Sequence, residues 1–262
     1  MTEVHVIAAF ADHQSAGNPA AVCLLKEAAD PLWMQRVARQ MGLSETAFVV
    51  RSGRDFSLRW FTPSTEVELC GHATLASAFV LWETATLPAA DPARFHTLSG
   101  ELTCRRNADW ITMDFPATPV RPWSAPARLA ADLGGPIVAG FTNGMDYLVE
   151  VPDEAALRSL RPDWEALTRL GQRGLIATCR SDDPRWDFVS RFFAPAVGVK
   201  EDPVTGSAHC ALAPFWAASL GRTALTGFQA SARGGTVRVE VHRDRVVLGG
   251  QAVHLERVVL PE

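Results

Sequence analysis

The chain has 262 residues, 47% of them hydrophobic, and a net charge of -4 at pH 7. That length and apolar content support one large core or two ordinary ones. The mild acidity leaves no electrostatic footprint for nucleic acid or an anionic membrane. No apolar run approaches the roughly 20 residues that span a bilayer. Residues 1–6 lack the basic and apolar regions of a signal peptide. The five cysteines (Cys23, Cys70, Cys104, Cys179 and Cys210) are scattered, as suits reduced thiols. A cytoplasmic protein is expected.

Residues 4–10 alternate as a strand does. Pro31-Leu32-Trp33 opens a helix, since proline is tolerated in the first turn, and Gly42 closes it. Residues 47–51 and 56–61 are rich in β-branched and aromatic side chains and read as strands. Gly71 leads a helix of small residues whose apolar stretch, 73–82, predicts burial. Strands follow at 101–105 and 110–114. The densest proline cluster, residues 115–122, reads as a linker near the midpoint.

The second half repeats the first. A strand at 145–151 precedes Pro162-Asp163-Trp164, a helical stretch and Gly171. Strands are expected at 175–178 and 188–193. Asp55-Phe56-Ser57-Leu58-Arg59-Trp60-Phe61-Thr62-Pro63 and Asp187-Phe188-Val189-Ser190-Arg191-Phe192-Phe193-Ala194-Pro195 share one pattern, D-F-x-x-R-aromatic-F-x-P. The helix led by Gly206 matches the one led by Gly71, after a loop insertion. Strands at 236–242 and 245–250 complete an α+β chain. Self-similarity of this kind marks a duplicated unit.

The two glycine-led turns are the candidate chemistry. Glycine lets backbone approach a ligand, and a helix N-terminus offers unpaired N–H groups to a carboxylate. Two such termini facing each other would hold a small acid and stabilise an enolate-like charge beside it. Two tightly packed core helices without a ligand are the competing reading. Cys70 and His72 flank the first turn; Glu201, Asp202, Thr205 and Ser207 surround the second. Glu45, between a helix end and a hydrophobic strand, is placed for proton transfer, although helix capping would also explain it. The second half has Arg173 near the corresponding place and no acid. Zinc ligation by Cys70, His72, His209 and Cys210 is not expected, because the spacing fits no common pattern.

Ala16-Gly17-Asn18-Pro19-Ala20-Ala21-Val22, Leu43-Ser44-Glu45-Thr46-Ala47-Phe48, Phe61-Thr62-Pro63, Gly71-His72-Ala73-Thr74-Leu75-Ala76 and Glu201-Asp202-Pro203-Val204-Thr205-Gly206-Ser207-Ala208 resemble the PhzF-like phenazine-biosynthesis isomerase family in register. The resemblance implies a diaminopimelate epimerase-like fold. It has two pseudo-symmetric lobes, each a curled mixed sheet around a central helix, with the site in the cleft between them. The lobes are expected at 1–118 and 119–262, with the final strand returning to the first. Members are cofactor-free and usually homodimeric. The best-understood one isomerises 2,3-dihydro-3-hydroxyanthranilate through a glutamate that moves a proton between ring carbons.

By motif match that glutamate is Glu45, and His72 and Asp202 join it as catalytic residues. Asn18, Cys70, Gly71, Thr205, Gly206 and Ser207 are the implied substrate-binding residues, with no metal and no cofactor. The expected partner is a small carboxylate or amino-acid-like substrate. Related epimerases use paired cysteines at the two turns. Here Thr205 stands opposite Cys70 in the repeat, which argues against two-thiol racemisation. A racemase using Cys70 alone, and a non-catalytic metabolite- or protein-binding member, remain the alternatives.

Overall fold

The computed structural model describes residues 2–260. Met1, Pro261 and Glu262, at the ends of the expected lobes, lie outside the described residues. The chain divides into two compact units, Met1–Asp114 with Gly249–Glu262, and Phe115–Leu248.

The first unit opens with β1 (Thr2–Ala9), β2 (Asn18–Leu25), α1 (Pro31–Met41), β3 (Thr46–Ser52), β4 (Asp55–Phe61) and β5 (Glu66–Val67). Then come α2 (Gly71–Glu83), β6 (Ala93–Thr97), β7 (Gly100–Asn107) and β8 (Trp110–Pro116). The second runs through β9 (Arg121–Pro122), α3 (Leu129–Leu133), β10 (Ala139–Thr142), β11 (Asp146–Glu150), α4 (Glu154–Ser159), α5 (Trp164–Thr168), β12 (Gly174–Arg180) and β13 (Phe188–Phe193). It continues through α6 (Gly206–Leu220), β14 (Ala224–Gln229), β15 (Gly235–His242) and β16 (Arg245–Gly250). The last strand, β17 (Ala252–Leu260), pairs antiparallel with β1.

The repeat is visible in the strand pairing. In the first unit β1–β2 is antiparallel, β2–β3 parallel, β3–β4 antiparallel, β4–β6 parallel and β6–β7 antiparallel. In the second, β10–β11, β11–β12, β12–β13, β13–β14 and β14–β15 follow the same alternation. Each unit wraps its sheet against one apolar helix. In α2 every residue from His72 to Trp82 except Phe79 is buried, and the helix touches β1, β2, β3, β7 and β17. In α6, residues Ala208 to Ala213 are buried, against β14 and β15.

The sequence reading needs four corrections. First, β2 was missed, because it begins with Asn18 and Pro19, which are poor strand formers. Pairing to β3 begins at Ala21, so Pro19 withdraws no N–H from that ladder. Second, β6, β10 and β14 were also missed. Third, Pro31 occupies the first turn of α1, which Gly42 ends in the left-handed region at φ 64°. Its counterpart Pro162 stays outside α5, which Asp163 caps instead, and α5 ends after one turn. Fourth, residues 115–122 are not a free linker. Arg121 and Pro122 pair with β10, and the N–H groups of Ala117 and Thr118 donate to Asp244 and Cys210 carbonyls.

Candidate active site

Three expected residues of the first unit converge. Cys70 is the N-cap of α2, and its carbonyl is held by Thr74, whose N–H donates at 3.1 Å and whose hydroxyl donates at 2.5 Å. Gly71 and His72 are the first two residues of the helix. Glu45 immediately precedes β3, and its carbonyl accepts from the Ala21 N–H at 3.2 Å. This sets the carboxylate beside the imidazole, with Glu45 Oε2 3.2 Å from His72 Nε2. That oxygen is buried and has no aligned hydrogen-bond donor. Ser44 Oγ is 3.4 Å from the same ring nitrogen, and Cys70 Sγ is 3.5 Å from Nδ1. Asn18, buried at the start of β2 and paired with Ala9, is not part of this trio.

Ligand atoms of Glu45, Cys70 and His72 lie within 4.8 Å of one another, close enough for a cation. The nearest approaches favour a different use. The thiol flanks Nδ1 and the carboxylate flanks Nε2, while a single ion would take one ring nitrogen. The imidazole therefore lies between an acid and a thiol. His209 and Cys210, for which zinc ligation was not expected, have other bonds. His209 Nδ1 is 2.8 Å from the Thr205 carbonyl, and Cys210 Sγ is 3.6 Å from that of Gly206.

In the second unit Thr205 is the N-cap of α6, the place Cys70 holds in α2. Its hydroxyl donates to Asp202 Oδ2 at 2.5 Å. Gln229, fully buried, ties the turn together. Its Oε1 accepts from the Thr205 N–H at 2.9 Å, and its Nε2 donates to the Asp202 carbonyl at 2.7 Å. Gly206 starts the helix, so the N–H groups of its first turn have no intrahelical partner. Ser207 is drawn elsewhere: Arg173 Nη2 donates to its Oγ at 3.0 Å. The guanidinium is held by two hydrogen bonds to Asp146, a buried carboxylate.

The sheet register explains why Glu45 has no acidic twin. Thr46 faces Phe61, and Leu175 faces Phe193, the matching phenylalanine of the repeat. One residue earlier, Glu45 corresponds to Gly174, and Ser44 to Arg173. A Cβ on Gly174 would meet the Phe192 ring at 2.5 Å and the Phe193 carbonyl at 2.9 Å. No side chain fits there without backbone movement. The residues two places before the strand-start match do meet the same helix position in both units. Ser44 reaches His72 and Arg173 reaches Ser207.

Two features escaped the sequence reading. The repeated arginine of the D-F-x-x-R pattern pairs with a glutamate before each turn, Arg59 with Glu66 and Arg191 with Glu201. Gln229, far along the chain from Thr205, had no motif to mark it.

The family model for phenazine biosynthesis-like proteins (PhzC-PhzF) matches residues 7–257. An uncharacterised isomerase of Halalkalibacterium halodurans is 47% identical over 98% of this chain and 97% of its own. The crystal structure of a PhzF-family phenazine biosynthesis protein from Enterococcus faecalis superposes with a TM-score of 0.94 at 38% identity, covering 98% of this chain and 97% of that one. A probable proline racemase from Agrobacterium radiobacter K84 gives a TM-score of 0.65 at 10% identity, covering 100% of this chain and 93% of that one; this shows shared fold alone. The α+β, epimerase-like architecture expected from the sequence is the one found.

Proposed function

Because the chain belongs to the PhzC-PhzF family of phenazine biosynthesis-like proteins, we propose that it is a cofactor-independent isomerase. It shifts a proton between carbons of a small carboxylate-bearing substrate, with Glu45 as general acid and base. One observation carries this reading. A buried carboxylate oxygen, without an aligned donor, lies 3.2 Å from a buried imidazole at a helix N-terminus. A carboxylate so placed is available to take a proton, and the neighbouring imidazole is near enough to share it.

The reaction starts with Glu45 removing a proton from a carbon next to a conjugated acid. The negative charge that develops is stabilised by hydrogen-bond donors, among them the first-turn N–H groups of α2. Glu45 then returns the proton to another carbon. His72 is assigned to hold Glu45 and share its proton. Asp202 is the second assigned acid–base group. Asn18, Cys70, Gly71, Thr205, Gly206 and Ser207 are assigned to substrate binding, with the Ser207 oxygen oriented by Arg173. Thr205 at the N-cap equivalent to Cys70 speaks against two-thiol racemisation, because a threonine hydroxyl is a poor base. The reading extends to a homodimer acting in the cytoplasm, for which a monomer mass in light scattering would be the counter-result.

The test is a thermal-shift screen of small carboxylates and amino acids, in which ligands stabilise by mass action. Hits are then incubated with the protein in D2O and followed by proton NMR. Deuterium entering carbon supports the isomerase. Ligands that bind and never exchange would replace it with a binding-only protein.

A further inference from the structure

The proposed base is served by an imidazole, and an imidazole helps a carboxylate only in the right tautomer. Neutral His72 has one N–H and one lone pair. With the proton on Nδ1, the Nε2 lone pair would face Glu45 Oε2 at 3.2 Å, setting two acceptors against each other in a buried place. With the proton on Nε2, the nitrogen 3.2 Å from the carboxylate carries a donor in place of a lone pair, and Nδ1 needs a donor. The Cys70 sulfur is 3.5 Å from Nδ1, within reach of a thiol hydrogen bond.

We infer that Cys70 is a positioning residue: its S–H, donated to Nδ1, holds His72 as the Nε2–H tautomer and so keeps an N–H against Glu45. The catalytic consequence rests on the reading of Glu45 as base; the tautomer itself does not. This role differs from that of a thiolate base. It needs a neutral donor at the N-cap of α2, which a serine hydroxyl supplies and an alanine does not. The Thr74 bonds to the Cys70 carbonyl fix the backbone from which the thiol reaches the ring. Ser44, also at Nε2, can accept from the same N–H or rotate away, so it does not oppose this tautomer.

The experiment is long-range 1H–15N NMR of uniformly labelled protein at neutral pH, with the His72 signals identified by their loss in His72→Gln. Wild type is expected to show a protonated Nε2 and a bare Nδ1. Cys70→Ser should keep that pattern, and Cys70→Ala should give mixed tautomers. Carbon–deuterium exchange should fall at least about tenfold in Cys70→Ala and be partly rescued in Cys70→Ser relative to Cys70→Ala, because a wrong tautomer removes the donor. A protonated Nδ1 in wild type, or an unchanged tautomer in folded Cys70→Ala, overturns the inference. If Cys70→Ala does not fold, the wild-type tautomer alone decides. Failure of Glu45 as base would appear in Glu45→Gln exchange and leave these spectra intact.

Discussion

Arg191 grips Glu201 with two parallel hydrogen bonds, Nε to Oε1 at 2.8 Å and Nη2 to Oε2 at 2.9 Å, just ahead of the glycine that starts α6. Arg59 grips Glu66 in the same fork ahead of α2, at 2.7 and 2.8 Å. The duplicated arginine therefore fixes the path of the chain into each central helix. The two pairs differ in burial. The side chains of Arg191 and Glu201 are 11% and 22% exposed, those of Arg59 and Glu66 31% and 26%. Arg191 also donates to the Leu157 and Leu160 carbonyls. Arg191→Leu should cost about 3 kcal/mol, as for a buried pair broken on one side. Arg59→Leu should cost about 1 kcal/mol, nearer the surface-pair range. Chemical denaturation measures both, and equal losses would contradict the burial argument.

Gln229 supplies both halves of its amide to the turn that holds Asp202 and Thr205. Gln229→Leu keeps the volume and strands a buried N–H and a buried C=O, at about 1–3 kcal/mol for each. Denaturation should register that loss, and the Thr205 amide should exchange faster with solvent. Unchanged protection at Thr205 would show that the turn does not depend on this side chain.

Burial lowers the His209 pKa from 6.5 to about 4, partly opposed by its bond to the Thr205 carbonyl. The ring packs against Phe188, and it stays neutral in the folded chain at physiological pH. The unfolded chain binds its proton near pH 6.5, the folded one near 4, so stability is full above 6.5 and falls as pH drops through that window. At about 1.4 kcal/mol per pKa unit the loss approaches 3 kcal/mol. His209→Gln should be less stable at pH 7 and should lose less between pH 6.5 and 4. Parallel pH profiles for the two proteins would remove His209 as the titrating group.

Gly174 fills the place Glu45 takes in the first unit, and its lack of a side chain is enforced by Phe192. Gly174→Ala should destabilise by about 1–3 kcal/mol through overpacking. A neutral result in thermal or urea unfolding would mean that the ring can move aside, and the asymmetry would then lack its steric cause.

Much of this fold is legible in the amino-acid sequence. The D-F-x-x-R-aromatic-F-x-P repeat located β4 and β13, because both are dense in bulky apolar side chains, alternately buried in β4 and buried throughout in β13. Leu43-Ser44-Glu45 and Cys70-Gly71-His72 were visible as polar insertions in apolar text, and the fold brings both to one ring. What stayed hidden depends on distant pairing. Gln229 reaches Thr205 across 24 intervening steps of chain. The Arg59–Glu66 and Arg191–Glu201 pairs were present as residues but not as partners, since a strand arginine is most simply a solvated one. Strand β2 was hidden by its own Asn-Pro-Ala start, whose weak propensity is overridden by neighbours on both sides.

The central claim is that Glu45 carries the proton. The most direct measurement compares wild type with Glu45→Gln in D2O, with proton NMR reading deuterium entry into carbon of a carboxylate that both proteins bind. The amide keeps the shape and loses the base. Wash-in should fall by about 10²–10⁴, the usual contribution of a positioned acid–base group, while the thermal shift on ligand binding persists. Wild-type exchange rates in Glu45→Gln would contradict the assignment.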